Sequence, residues 1–206
     1  VMGLEESAEY PLTDIKGKNV VVLGGGDTAR DCLRTAVRRG AERVTCAYRR
    51  DELSMPGSKK EVVNAREEGV NFEFNVQPQY IKRGRKGQVS AVGMIRTKMG
   101  EPGPDGRRRP QPIPGSEFEL PADVLIMAFG FQAHDMPWLR GHGIKLDRWG
   151  QICTGGKGRG TTQTSNDKIF AGGDAVTGAD LVVTAMVAGR QAASEMLTLF
   201  REKEDV

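Results

Sequence analysis

An α/β fold built on a parallel sheet is what three features of this 206-residue chain predict. An apolar run breaks into a glycine turn and a helix start between Asn19 and Arg30, a second apolar strand follows directly on that helix, and a continuous apolar stretch returns at Ala122 to Phe129. Strands without a polar side, alternating with amphipathic helices, mark βαβ units whose sheet is covered on both faces.

The first strand is Asn19-Val20-Val21-Val22-Leu23. In the helix that follows, Ala29, Cys32, Leu33, Ala36 and Val37 recur at helical spacing as a core face, Arg30, Arg34 and Arg38 share the opposite face, and Gly40 is the stop. Arg43 to Tyr48 is the second strand. Ser58-Lys59-Lys60-Glu61 fits a capping box opening a helix to about Glu68, with Gly69 ending it, after a turn at Ser54-Met55-Pro56-Gly57. Val70 to Val76 reads as the third parallel strand. Gln79 to Lys82 and Val89 to Arg96 resemble antiparallel strands around a polar turn at Gly84 to Gly87, so a meander follows the βαβαβ unit. Met99 to Gly115, rich in Gly, Pro and Arg, reads as an exposed loop. Ala122 to Phe129, ending in Gly130-Phe131, is the return strand into the parallel sheet.

Between the first strand and its helix stands Gly24-Gly25-Gly26-Asp27-Thr28-Ala29. In a strand–turn–helix of this form Gly24 permits the sharp turn, Gly26 leaves room for a pyrophosphate, and Ala29 lets helix and strand pack closely. The first-turn amides then face the anion, aided by the helix dipole. This makes the unit a Rossmann-like dinucleotide domain. At the end of the second strand, where the adenosine ribose lies, a carboxylate would hold ribose hydroxyls and repel a 2′-phosphate. Here Arg49 and Arg50 stand instead, so the expected nucleotide is NADPH rather than NADH. Asp51 and Glu52 are possible ion-pair partners of either arginine, and Lys59, Lys60 and Arg66 read as surface charges.

A second element lies near the end, Lys168-Ile169-Phe170-Ala171-Gly172-Gly173-Asp174-Ala175-Val176, with Gly178-Ala179-Asp180 and a long helix from about Leu181 to Phe200 after it. It reads as a buried strand with a carboxylate at its edge, which needs a hydrogen-bonding partner such as a polyol hydroxyl. Gly172 and Gly173 would allow close ligand approach. The amides of Leu181, Val182 and Val183 would point at an electron-rich carbonyl.

Net charge is +3 and aromatics make up 6% of the chain, so basic clusters at Arg49-Arg50, Lys82 to Lys86 and Arg107 to Arg109 lack the interleaved stacking residues of a nucleic-acid surface. Cys32, Cys46 and Cys153 are too scattered for a disulfide framework, a redox pair or a zinc site, which points to a reducing, cytoplasmic setting. No run reaches the about 18 apolar residues of a membrane span. His134 and His142 read as surface or capping residues, and no catalytic side chain or metal ligand is assigned.

Taken together, Gly24 to Ala29, Ala128-Phe129-Gly130-Phe131 and Ile169 to Asp174 resemble the flavoproteins with two dinucleotide-binding domains, in which an NADPH domain is inserted within a FAD domain. The strings Cys46 to Glu52, Met55 to Ser58, Asn64 to Val70, Phe74 to Pro78 and Gly172 to Ala185 are similar to the small-subunit family of bacterial NADPH-dependent glutamate synthase, and related iron-sulfur oxidoreductases share many of them.

The resemblance implies an NADPH domain over 16–132 after a linker over 1–15, and the C-terminal part of a FAD-binding α/β domain over 133–206. It also implies that Gly173, Asp174 and Leu181 to Val183 border FAD, a site only partly present here, and that Gly130 and Phe131 are cofactor-binding residues. That family carries iron-sulfur clusters and a first glycine turn ahead of the matching region, so these residues look like a C-terminal piece. The implied role is electron input from NADPH to FAD, with a glutamate synthase large subunit as partner. A related iron-sulfur oxidoreductase with another acceptor, a stand-alone NADP-dependent dehydrogenase and a non-catalytic nucleotide-binding module remain alternatives.

Overall fold

The computed structural model describes residues 12–56, 58–103 and 108–204, the side chains of 202–204 excepted. It divides between Gly130 and Phe131 into two compact units.

In the first unit β1 (Asn19–Leu23), β2 (Arg43–Tyr48), β3 (Asn71–Phe74) and β7 (Val124–Met127) form a parallel sheet in the order β3-β2-β1-β7. α1 (Asp27–Arg38) and α2 (Lys59–Glu67) are the crossovers. β1 is buried on both sides. Val20 and Val22 join Ala29, Leu33 and Ala36 of α1 and Val62 and Ala65 of α2 in one core, while Val21 and Leu23 face a second core with Val76, Val92, Met94 and Ala122. That second core belongs to an antiparallel sheet, β4 (Val76–Arg83), β5 (Val89–Pro102) and β6 (Arg108–Pro121), which covers the face that crossover helices cover elsewhere. Gly40 and Gly69 end α1 and α2 in the same way. Each adopts positive φ, and the next residue's amide reaches back to the helix, Ala41 to Ala36 O at 3.2 Å and Val70 to Ala65 O at 2.9 Å.

Several sequence expectations are corrected. Val76 leaves the parallel sheet, because Asn75 takes φ 55° and turns the chain into β4; asparagine tolerates that conformation where a β-branched residue would not. Met99 to Gly115 is no loop. Its flanks extend β5 and β6 into a long antiparallel arm, with Thr97 opposite Pro112 and Met99 opposite Pro110, while 104–107, including Arg107, lie outside the described residues.

Ser58 occupies the N-cap of α2 without a side-chain bond, since Glu61 turns instead to Arg30 at 2.6 Å and the capping box does not form. The arginine face of α1, which the helical period sets opposite its core face, meets α2. Arg30 and Glu61 pair there, and Glu68 takes both Arg34, at 2.5 Å, and Arg38, at 3.0 Å, so the stripe is a polar seam between α1 and α2. The return strand is shorter than the apolar run. After Met127, Ala128 still donates to Leu23 O at 2.8 Å.

The second unit has little regular structure before its long helix: α3 (Pro137–Gly141), α4 (Asp174–Thr177) and α5 (Val182–Glu204). The segment before Asp174 forms one isolated bridge, Phe170 to Gln163, rather than a buried strand, and is only half-buried. With a single bridge it has no ladder on either side to exclude water. Most of the linker expected over 1–15 falls at 1–11, outside the described residues, as does Gly57.

Candidate nucleotide site and flavin-facing element

The C-terminal ends of β1 and β2 lie side by side, Leu23 opposite Ala47, so the chain delivers the glycine turn and the arginine pair to one edge of the sheet. Gly24 has φ 133°, and a Cβ there would sit 2.2 Å from Ala128 O; only glycine lets β1 turn beside the end of β7. A Cβ on Gly25 would meet the Tyr48 ring at 2.6 Å. Gly26 differs. Nothing lies within 4 Å of the space its side chain would fill, and as N-cap of α1 it stands before amides that have no intrahelical acceptor. Asp27 and Thr28 open the helix exposed, and Ala29 is fully buried against the sheet. The fit to a dinucleotide pyrophosphate is therefore open space at Gly26 with donors behind it.

The backbone of Arg49-Arg50 is held by the second sheet. Thr97 donates its hydroxyl to Arg49 O at 3.0 Å and its amide to Asn75 O at 2.7 Å, and the Asn75 amide donates to Arg50 O at 3.0 Å. Arg49 is exposed and Arg50 half-buried, with its Nε enclosed and without a hydrogen-bond partner. Neither neighbouring carboxylate hydrogen-bonds them. Glu52 binds Arg66 through two bonds of 2.7 Å, and Asp51 accepts from the Ser54 amide at 2.7 Å. These partners hold both carboxyls below their ordinary values, Ser54 through its hydroxyl and amide in one case and Arg66 in the other. Arg66 also lies over Phe72 and Phe74, so its charge is structural, whereas Lys59 and Lys60 are exposed.

In the second unit Gly172, Gly173, Asp174, Asp180, Val182, Ala185 and Gly189 line a cavity of about 400 Å³. Both glycines also admit the close approach of α5: a Cβ on Gly172 would lie 2.8 Å from that of Ala188, and one on Gly173 3.1 Å from that of Ala185. Asp174 is exposed at the start of α4 and accepts from the Asp180 amide at 3.4 Å. The Leu181 amide is taken by the Asp180 carboxylate at 2.8 Å, which leaves Val182 and Val183 to present the first free amides of α5. Leu181, Val182, Val183, Met186 and Val187 are all exposed apolar residues. Gly130, at φ 86°, ends the first unit in open space, and Phe131 begins the second 81% exposed.

One feature of this unit escaped the sequence reading. Glu195 on α5 accepts from the amides and hydroxyls of both Thr161 and Thr162, at 2.6 to 3.1 Å. Burial alone would push its carboxyl up, but the bonds from Thr162, Thr161 and Gln191 together bring it down to about 2. His142 caps the C-terminus of α3, and both histidines are exposed. Among the described residues no group of His, Cys, Asp and Glu could hold a metal, and no helix is long and apolar enough to cross a membrane.

A parallel sheet with a glycine turn at its edge and an antiparallel sheet on one face defines a dinucleotide-binding α/β protein. The pyridine nucleotide-disulphide oxidoreductase model matches residues 4–189, and the chain belongs to that family of oxidoreductases. It is 74% identical over 98% of its length to the putative oxidoreductase UacF of Escherichia coli (strain K12), covering 32% of that protein. With the glutamate synthase (NADPH) small chain of the same organism it shares 57% identity over 96% of its length, covering 42% of that protein. The chain thus spans less than half the length of these relatives.

Among solved structures, the fold is that of T. acidophilum thioredoxin reductase, at TM-score 0.69 and 22% identity over 89% of this chain and 53% of that one. It is equally that of Mycobacterium tuberculosis FprA in complex with NADPH, at TM-score 0.69 and 18% identity over 93% of this chain and 55% of that one.

Proposed function

We propose that the chain binds NADPH and belongs to an electron-input module that passes hydride to FAD. The observation that carries the reading is the pairing, on one sheet edge, of the open cradle at Gly26 with two arginines whose carboxylate neighbours are engaged elsewhere. In this reading Gly24 to Ala29 seat the pyrophosphate, the Thr28 and Ala29 amides donate to it, and Arg49 and Arg50 take the 2′-phosphate, the enclosed Arg50 Nε finding there the acceptor it lacks. Bound NADPH supplies the hydride, and what the protein supplies is orientation and charge.

The domains proposed are a linker over 1–15, the NADPH domain over 16–132 and the C-terminal portion of a FAD domain over 133–206. Asp174, Gly173 and the amides of Val182 and Val183 would border the flavin, with Gly130 and Phe131 at the crossover. Similarity to the glutamate synthase small chain supports a large-subunit partner, a cytoplasmic setting and iron-sulfur clusters held outside these 206 residues. A second reading, an iron-sulfur flavoprotein with another electron acceptor, draws on the higher identity to UacF, 74%, and to the putative oxidoreductase AegA, 61%.

Calorimetric titration of the chain tests the nucleotide assignment. NADPH should bind more tightly than NADH, and Arg49→Glu should weaken NADPH by roughly 2 to 4 kcal/mol, through a lost charge-assisted bond and added repulsion, with little effect on NADH. Equal losses for both nucleotides would remove the 2′-phosphate from the arginine pair.

A further inference from the structure

Arg30 is the one arginine among the described residues that is buried, at 2% exposure, and it sits where a cation is least welcome, in the first turns of α1 beside the positive end of the helix dipole. Its guanidinium gathers four groups from three segments. Nη1 donates to Pro56 O at 2.5 Å and to Gly25 O at 3.4 Å, Nη2 donates to the Asp27 carboxylate, and Nε lies 2.6 Å from Glu61 Oε2 as an ion pair without hydrogen-bond alignment. The Pro56 strap is fixed from its other side by Tyr48, whose hydroxyl donates to Ser54 O at 3.0 Å and whose ring packs on Gly25. Arg30 is thus the tie between the glycine turn and the segment that leads away from the arginine pair.

We propose that Arg30 is a positioning residue of the nucleotide cradle, which neutralises Asp27 and Glu61 beside the pyrophosphate and fixes the glycine turn to the Pro56 strap. The inference rests on the NADPH reading. Asp27 is the first residue of α1 and its carboxylate is exposed, so uncompensated it would repel a pyrophosphate and compete for the same first-turn amides. Removing Arg30 would leave no carboxylate buried without its cation, because the Asp27 and Glu61 side chains are 85% and 46% exposed and water can take them, and such exposed pairs add little to stability. The cost and the placement of the arginine therefore point to the ligand rather than to the fold.

The test is titration of the whole chain with NADPH and with NADH. Arg30→Met should weaken both by about tenfold, because the pyrophosphate is common to them, in contrast to the NADPH-selective loss expected for Arg49→Glu. Adding Asp27→Asn to Arg30→Met should recover most of that loss, a rescue that a merely structural role would not give. Should the methionine variant not fold, Arg30→Lys carries the test: one ammonium lacks the guanidinium's fork, so both affinities drop about threefold. Unchanged affinities in the variant that folds, or a loss that Asp27→Asn leaves untouched, overturn the proposal while the NADPH reading stands. Binding of neither nucleotide by the unmodified chain overturns that reading itself.

Discussion

The two glycine-acid elements of this chain, Gly24 to Asp27 and Gly172 to Asp174, use similar residues and are held in opposite ways. In the first, strand, ring and backbone close on Gly24 and Gly25, Gly26 alone faces open space, and the acid is paired with a buried arginine. In the second both glycines are spent on the approach of α5, and the acid stands exposed beside a helix whose leading residues Val182, Val183, Met186 and Val187 are exposed as well. The first element is held by strand, ring and arginine of its own unit; the second is packed by its glycines against its own long helix. Glycine spacing alone does not separate these cases. What separates them is which glycine has neighbours.

The largest expected effect sharpens that difference inside the first element. Gly24→Ala places a methyl 2.2 Å from Ala128 O at φ 133°, so backbone strain and overpacking together should cost about 3 kcal/mol or more in urea unfolding. Gly26→Val should change stability by less than about 1 kcal/mol, since the N-cap makes no side-chain bond and its space is open, yet abolish nucleotide binding. Equal stability losses at the two positions would erase the distinction between a packed glycine and a ligand-facing one.

A middle-sized effect is expected in the second unit, where Glu195 fastens the Thr161-Thr162 loop to α5. Its carboxyl titrates near 2 in the folded chain against an ordinary 4.5, so its stabilisation is complete above about pH 4.5 and is lost as the pH falls toward 2. Glu195→Gln, which forfeits the charge-assisted bonds, should lower stability at neutral pH and flatten that acid limb. Both tryptophans, Trp138 and Trp149, lie in this unit, so their fluorescence follows it alone. An acid transition identical in the two proteins would show that other carboxylates hold the loop.

The parallel sheet was legible because its signals are local: an apolar strand, a glycine turn and a helix of regular period, each naming its own boundaries. The arm at 97–102 and 108–113 was not, because prolines ordinarily deny a strand. Pro110 and Pro112 are spaced by two, which turns both missing N–H groups to the same side, and β6 is an edge strand that pairs on one side only among the described residues. Arg30 was hidden for a different reason. Helical period places it with Arg34 and Arg38, and only the docking of α2, which brings Glu61 and Glu68 across, converts that stripe from surface to seam. The sole local hint was Asp27 three residues earlier. Asp174 lay at the limit of sequence reading too, since whether a carboxylate at a strand end is buried depends on which strands flank it.

The smallest expected effect tests whether the first unit's site is held from the sheet behind it. Thr97 is buried on β5, and its hydroxyl makes one bond, to Arg49 O, from an element distant in sequence. Thr97→Val keeps the shape and removes that bond, leaving a carbonyl to find water or stay unpaired, which should cost about 1 kcal/mol of stability. If the clamp also sets where the arginine pair stands, NADPH affinity should fall by roughly threefold to fivefold, the equivalent of about 0.7 to 1 kcal/mol, while NADH affinity stays put. Urea unfolding and paired titrations separate the two consequences. A stability loss with NADPH and NADH affinities both unchanged would leave Thr97 as an anchor of β5 to the turn after β2 and nothing more, and would place the orientation of Arg49 and Arg50 wholly in that turn.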